Sequence, residues 1–102
     1  MAQNQIVRGV QTNILQTARG PGVVYRGTLV AIREGDVVIL RSNGWRTATT
    51  KLRMNQFANQ FCDGAFSIYQ HKGEWYVQNN ARNETEVFFD GIQISIAKRE
   101  GL

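Results

Sequence analysis

Cysteine, histidine and proline each occur once in these 102 residues, and their scarcity already narrows the chemistry. With Cys62 as the one thiol, no intrachain disulfide can form and no cysteine-based zinc site can assemble. A reducing compartment is the easier fit. No run approaches the roughly 18 apolar residues of a membrane-spanning helix. The opening residues, MAQNQIVRG, have neither the basic start nor the apolar centre of a secretory signal. A cytoplasmic protein is expected, without membrane contact. There is no Gly-rich phosphate loop and no cluster of metal-ligand residues, so neither a cofactor nor a metal is expected.

His71 falls in a predicted turn, where a solvated imidazole is the ordinary case. A Cys62/His71 nucleophile pair is conceivable because both follow the helix described below. One cysteine and one histidine at arbitrary spacing carry little weight. Glu34, Asp36 and Asp63 sit at turns, where acids usually serve the backbone. An enzyme is not expected.

What is present describes one small globular domain. Hydrophobic content of 42% and charged content of 20% are those of a folded chain. Ten glycines against the one proline imply many turns. The formal net charge of +4 favours a polyanionic partner, nucleic acid above all, although many basic domains touch none.

Along the chain, residues 1–5 and 98–102 are expected to be loose. Residues 6–18 suit a helix or a strand alike, and a hairpin joining 10–17 to 23–33 through Arg19-Gly20-Pro21-Gly22 is the expected outcome. Residues 23–33 read as a strand bent at Gly27. Glu34-Gly35-Asp36 then returns the chain into 37–41, a hairpin. Ser42-Asn43-Gly44 turns it again, and residues 45–47 suit a short strand.

An amphipathic helix is predicted at about 50–62, capped at its start by Thr49 or Thr50. Met54, Phe57, Ala58 and Phe61 share one face, whereas Gln56, Asn59, Gln60 and Leu52 point away from it. Asp63-Gly64 closes the helix. Residues 65–70 and 74–78 form a second hairpin around His71-Lys72-Gly73. A strand at 85–89, the turn Asp90-Gly91 and an alternating strand at 92–97 complete the chain. The fold class is α+β, mainly an antiparallel sheet, strongly curved or barrel-like, with one short helix packed on it.

An acid-free window spans 37–62 and holds Arg41, Arg46, Lys51 and Arg53. The helix start carries a partial positive charge, and Thr47, Thr49 and Thr50 add hydroxyls to it. Together these suit a phosphate of a nucleotide or of a nucleic-acid backbone. A threonine cap with solvated cations is the commoner arrangement. Trp45, Tyr69, Trp75 and Tyr76 fall on predicted strands beside basic residues, an arrangement that suits stacking on unpaired bases, with Trp45 and Tyr76 the first candidates. Both tryptophans also suit core positions, and only one of Trp75 and Tyr76 can face inward on a strand.

The order of motifs from Tyr25-Arg26-Gly27-Thr28, through VVILRSNGW and TTK-x-RMNQ, to GEWYV and FFDG resembles a family of small uncharacterised domains of tailed bacteriophages. The chain departs from that pattern at Arg26, where the family has His, and at Asn43, where it has Gly. No metal or acid–base role is therefore carried over to the neighbourhood of Tyr25. The resemblance implies a viral α+β domain acting in an infected host cell, and implies no activity. Two functions follow as expectations. One is a non-enzymatic module that contacts nucleic acid through the helix start. The alternative is an oligomeric module that uses Leu52 and the sheet edges to bind a host or virion protein.

Overall fold

The computed structural model describes residues 9 and 11–97, and the segments expected to be loose at both ends lie outside them. Eight strands and one helix follow in the order β1 (Thr12–Thr17), β2 (Gly20–Tyr25), β3 (Thr28–Glu34), β4 (Val37–Leu40), α1 (Ala48–Phe61), β5 (Phe66–His71), β6 (Glu74–Asn79), β7 (Glu84–Val87) and β8 (Ile92–Ser95). They make an antiparallel five-stranded sheet, β1-β2-β3-β4-β8, and a three-stranded sheet, β5-β6-β7. The class is α+β as expected, but the two sheets stay separate and no barrel closes.

Turn chemistry sets the hairpins. Arg26 and Gly27 have φ of 52° and 79°, and Lys72 and Gly73 have 52° and 81°. Two successive positive values give the two-residue turn whose twist matches that of paired strands. Arg26-Gly27 thus divides residues 23–33 into two strands where a single bent one was expected. The earlier turn falls at Ala18-Arg19, and Gly20 already belongs to β2. A Cβ on Gly20 would meet the Arg33 carbonyl at 2.1 Å, so the close strand approach there requires glycine.

A bulge at Val30 lets Val30 and Ala31 both face inward, since Val23 pairs with Ala31 and Val24 with Leu29. Residues 45–47 form no strand. Nor does Asp90-Gly91 join a hairpin. The chain there crosses from β7 in the small sheet to β8 in the large one.

Helix α1 lies against β5, β2 and β3 and so ties the sheets together. Met54, Phe57 and Ala58 are buried, while Phe61 is partly buried beside them. Val23, Val38, Leu40, Ile92 and Ile94 come from the large sheet, and Phe66, Ile68, Trp75 and Val77 from the small one. Burying a side chain such as Phe57 contributes about 2–3 kcal/mol. Gln56, expected on the outer face, is buried. Leu52, expected to point away from that face and to be exposed or to cover a partner, is half-buried.

Candidate nucleic-acid interface

The loop before α1 is pinned at its start. Ser42 is buried, and both its N–H and its hydroxyl donate to Asp90 Oδ1, at 2.9 and 2.7 Å. Asn43 and Gly44 then take φ of 53° and 81°. Two short bonds, Trp45 N to Ser42 O at 2.9 Å and Thr47 N to Trp45 O at 3.0 Å, tighten the turn. The result leaves Trp45 53% exposed, an unusual position for the largest apolar side chain. Trp75, by contrast, is a core residue.

Thr47 caps the helix. Its φ and ψ are −110° and 163°, and its Oγ1 accepts from Thr50 N at 3.2 Å. The cap is thus Thr47, where Thr49 or Thr50 was expected. Thr50 is fully buried, with its hydroxyl 3.1 Å from that of Thr47, and Thr49 is half-buried. No acidic residue occupies the first turn, so nothing there offsets the positive helix end.

Beside this helix start lies a shallow cleft of about 10 Å³, room for little more than one water, lined by Tyr25, Arg26, Thr28, Val30, Ser42, Trp45, Thr47 and Thr50. It is lined by cation, aromatic ring and hydroxyl, with no carboxylate among them. Enclosed small-molecule sites run to about 300–1,000 Å³, so the exposed ring offers a surface to stack on, and the cleft encloses little.

Two further cations stand at the helix start. The Arg46 guanidinium lies 5.1 Å from the Phe88 ring centre and 5.8 Å from that of Trp75. Lys51 Nζ lies 5.7 Å from the Trp75 ring and donates to Gln70 Oε1 at 2.9 Å. These contacts hold the charged heads against the ring faces by cation–π attraction and pair neither of them with a carboxylate among the described residues. The ion pairs among the described residues, Arg19–Glu34 and Arg33–Asp36, involve neither.

Other members of the expected set go elsewhere. Arg53 is 7% exposed; its Nε donates to Thr12 Oγ1 at 2.8 Å, its Nη1 to Gln56 Oε1 at 3.3 Å, and it stacks 5.6 Å from the Tyr25 ring centre. It braces the helix to β1 and β2. Arg41 is exposed but lines a depression together with Asp90, a carboxylate. Tyr76 lies on the opposite face of its strand from Trp75, stacked on Tyr69 at 5.4 Å. The structure thus brings Trp45, Arg46, Thr47 and Lys51 to the helix start and leaves Arg41, Arg53 and Tyr76 apart from it.

Arg26 was missed. It stands across the cleft from the helix start, held by a bond from its Nε to Gln11 Oε1 at 2.9 Å. A signal existed, because residues 1–33 also lack any acid and form a longer window than 37–62.

Cys62 is buried at the end of α1. Burial pushes its thiol up to about 11, against the opposing charge and hydrogen bond of Arg33, so the nucleophilic thiolate is suppressed near neutrality. Among the described residues no group of three or more His, Cys, Asp or Glu could hold a metal. No helix among them is long and apolar enough to cross a membrane.

Fold and site together define a small two-sheet α+β domain with a cationic, aromatic helix mouth. The Kyanoviridae Gp96 protein family matches residues 2–95, and the chain belongs to that family of phage proteins. The match runs along nearly the whole chain and does not single out TTK-x-RMNQ, which forms the first turns of α1. No curated protein and no solved structure matches the chain.

Proposed function

We propose that this phage protein is a non-enzymatic nucleic-acid-binding module, with single strands as its substrate. Trp45 stacks on an unpaired base, and Arg26, Arg46 and Lys51 contact flanking phosphates, with the Thr47 and Thr49 hydroxyls beside them. Stacking needs a base whose face is open, which a duplex does not present. The observation that carries the proposal is the 53% exposure of Trp45 at a helix start whose lining includes no carboxylate. Buried Arg53, with no carboxylate partner among the described residues, adds to the positive field beneath Tyr25.

Three phosphate contacts give single-strand binding a slope of roughly −2 in log K against log salt. Fluorescence anisotropy of a labelled oligothymidine, titrated at several salt concentrations, measures that slope. A duplex of the same length should bind more weakly. Retardation that is indifferent to salt, or equal for duplex and single strand, contradicts the proposal.

A protein-interaction role toward a host or virion factor has its own observation. Tyr69, Val87 and Phe89 are exposed on or beside the outer face of the small sheet. Capture of such a factor by a protein indifferent to oligonucleotides would favour it.

A further inference from the structure

Arg41, which stands apart from the phosphate contacts, lines a depression of about 250 Å³ together with Gly27, Thr28, Leu29, Asn43 and Asp90. This depression adjoins the cleft beside Trp45. Thr28 lines both, and the Arg26-Gly27 turn gives Arg26 to the one and Gly27 to the other. Ser42 and Asn43 are divided in the same way. Whatever occupies the depression therefore lies one step along the surface from a group stacked on Trp45. A Cβ built on Gly27 would meet nothing within 4 Å, so the turn leaves the mouth of the depression clear.

Its polar groups differ in kind from those of the helix start. Arg41 is exposed and pairs with no carboxylate among the described residues. Asn43 is exposed too, and its Nδ2 donates to Thr28 Oγ1 at 3.5 Å, a bond long enough to be exchanged for a better one. Both Ser42 bonds end on Asp90 Oδ1, and Asp90 is exposed, so its carboxylate still offers acceptors. A phosphate entering here would be repelled by that carboxylate. The edge of a base would not, because it presents acceptors and donors side by side. Phosphate contacts position a strand, and base contacts specify it.

We infer that this depression reads the base next to the one stacked on Trp45, and that it selects guanine. Guanine carries O6 and N7, the pair of acceptors that an arginine fork fits. Its other edge donates through a ring N–H and an amino group, which suits the Asp90 carboxylate. Adenine and cytosine each offer a carboxylate one amino group, and thymine offers one ring N–H between two carbonyls. Arg41 therefore binds the acceptor edge and Asp90 the donor edge, with Asn43 able to give or accept a bond beside them. Arg26, at the turn that borders both hollows, contacts the phosphate between the two bases. This selection of guanine rests on the single-strand binding proposed above.

Fluorescence anisotropy with the whole chain tests it, comparing labelled oligothymidine with strands of the same length that carry one central guanine, adenine or cytosine. Guanine should tighten binding about fivefold or more, the effect of one good bidentate contact. Arg41→Gln should return that strand to the oligothymidine level, with wild-type circular dichroism and an unchanged salt slope. Were Arg41 a phosphate contact instead, the variant would weaken every strand alike and reduce the slope by about 1. Equal affinity for the four strands, a preference for adenine or cytosine, or a uniform loss in Arg41→Gln would each overturn the inference and leave stacking on Trp45 intact. A chain that binds none of the four strands overturns both.

Discussion

Asn55 donates to the Ile68 carbonyl at 3.0 Å and accepts from the Ile68 N–H at 2.7 Å, standing where a neighbouring strand would stand. One carboxamide thereby docks α1 on the small sheet and closes that sheet's edge. Asn55→Ala leaves both Ile68 groups unpaired beside the helix, a cost of about 2–3 kcal/mol. Thermal unfolding should show a midpoint lower by roughly 10 °C or more. An unchanged midpoint would mean that water replaces the amide without loss.

Asp90 and Ser42 fasten the helix-start loop in the same manner. Burial alone would raise the Asp90 carboxyl, but bonds from the Ser42 hydroxyl and from the main chain of Ser42, Asn43 and Gly44 outweigh it and bring it below 3.8. A depressed carboxylate contributes stability above its unfolded value, lost as pH falls through the folded one. Asp90→Asn should therefore cost about 1 kcal/mol at neutral pH, and the two proteins should converge in stability as pH falls through the depressed folded-state value of the carboxyl. Denaturant titrations at neutral and acid pH measure this.

The Cys62 thiol titrates in the opposite sense. Raised from 9.0 to about 11 by burial, it favours the folded state fully below 9.0, and that contribution disappears as pH climbs toward 11. Cys62→Ala should flatten the alkaline limb of the stability profile. At pH 8 the native thiol should resist alkylation and react once the chain unfolds in denaturant. Rapid native alkylation contradicts the burial described above.

Arg53 separates structure from binding. Its guanidinium bonds Thr12 and Gln56 and covers Tyr25, so Arg53→Ala takes a donor from the buried Gln56 carboxamide and strips the packing from Tyr25, and should cost about 2–4 kcal/mol. Arg53→Lys should rescue little, since one ammonium cannot reproduce the planar fork. The double reversal Arg46→Glu/Lys51→Glu should leave thermal stability within about 1 kcal/mol of wild type while abolishing oligonucleotide binding.

Much of the fold was legible where local chemistry decides it. Gly35 after Glu34, and Gly73 after Lys72, mark turns that no packing could override, and the spacing of Met54, Phe57 and Ala58 marks the buried helix face. What was not legible depended on distant partners. Arg26 occupies a left-handed position usually given to glycine or asparagine, so its turn left no composition signal. Asp90-Gly91 looks like a hairpin, yet Asp90 is engaged by Ser42 from far away in sequence. Gln56 is buried because Arg53 is buried, and periodicity sees neither. At the site, Arg46, Thr47 and Lys51 could be placed because the helix start was legible. Whether Trp45 turned in or out was decided by the Ser42 anchor.

Tryptophan fluorescence tests the central claim most directly, because Trp75 is 1% exposed and Trp45 alone can meet a ligand face to face. Titration with oligothymidine at low salt should quench the emission to saturation, the quench should fade as salt rises, and Trp45→Ala should remove both signal and most of the affinity. Emission that does not change with oligothymidine, or affinity that survives Trp45→Ala intact, would contradict the account.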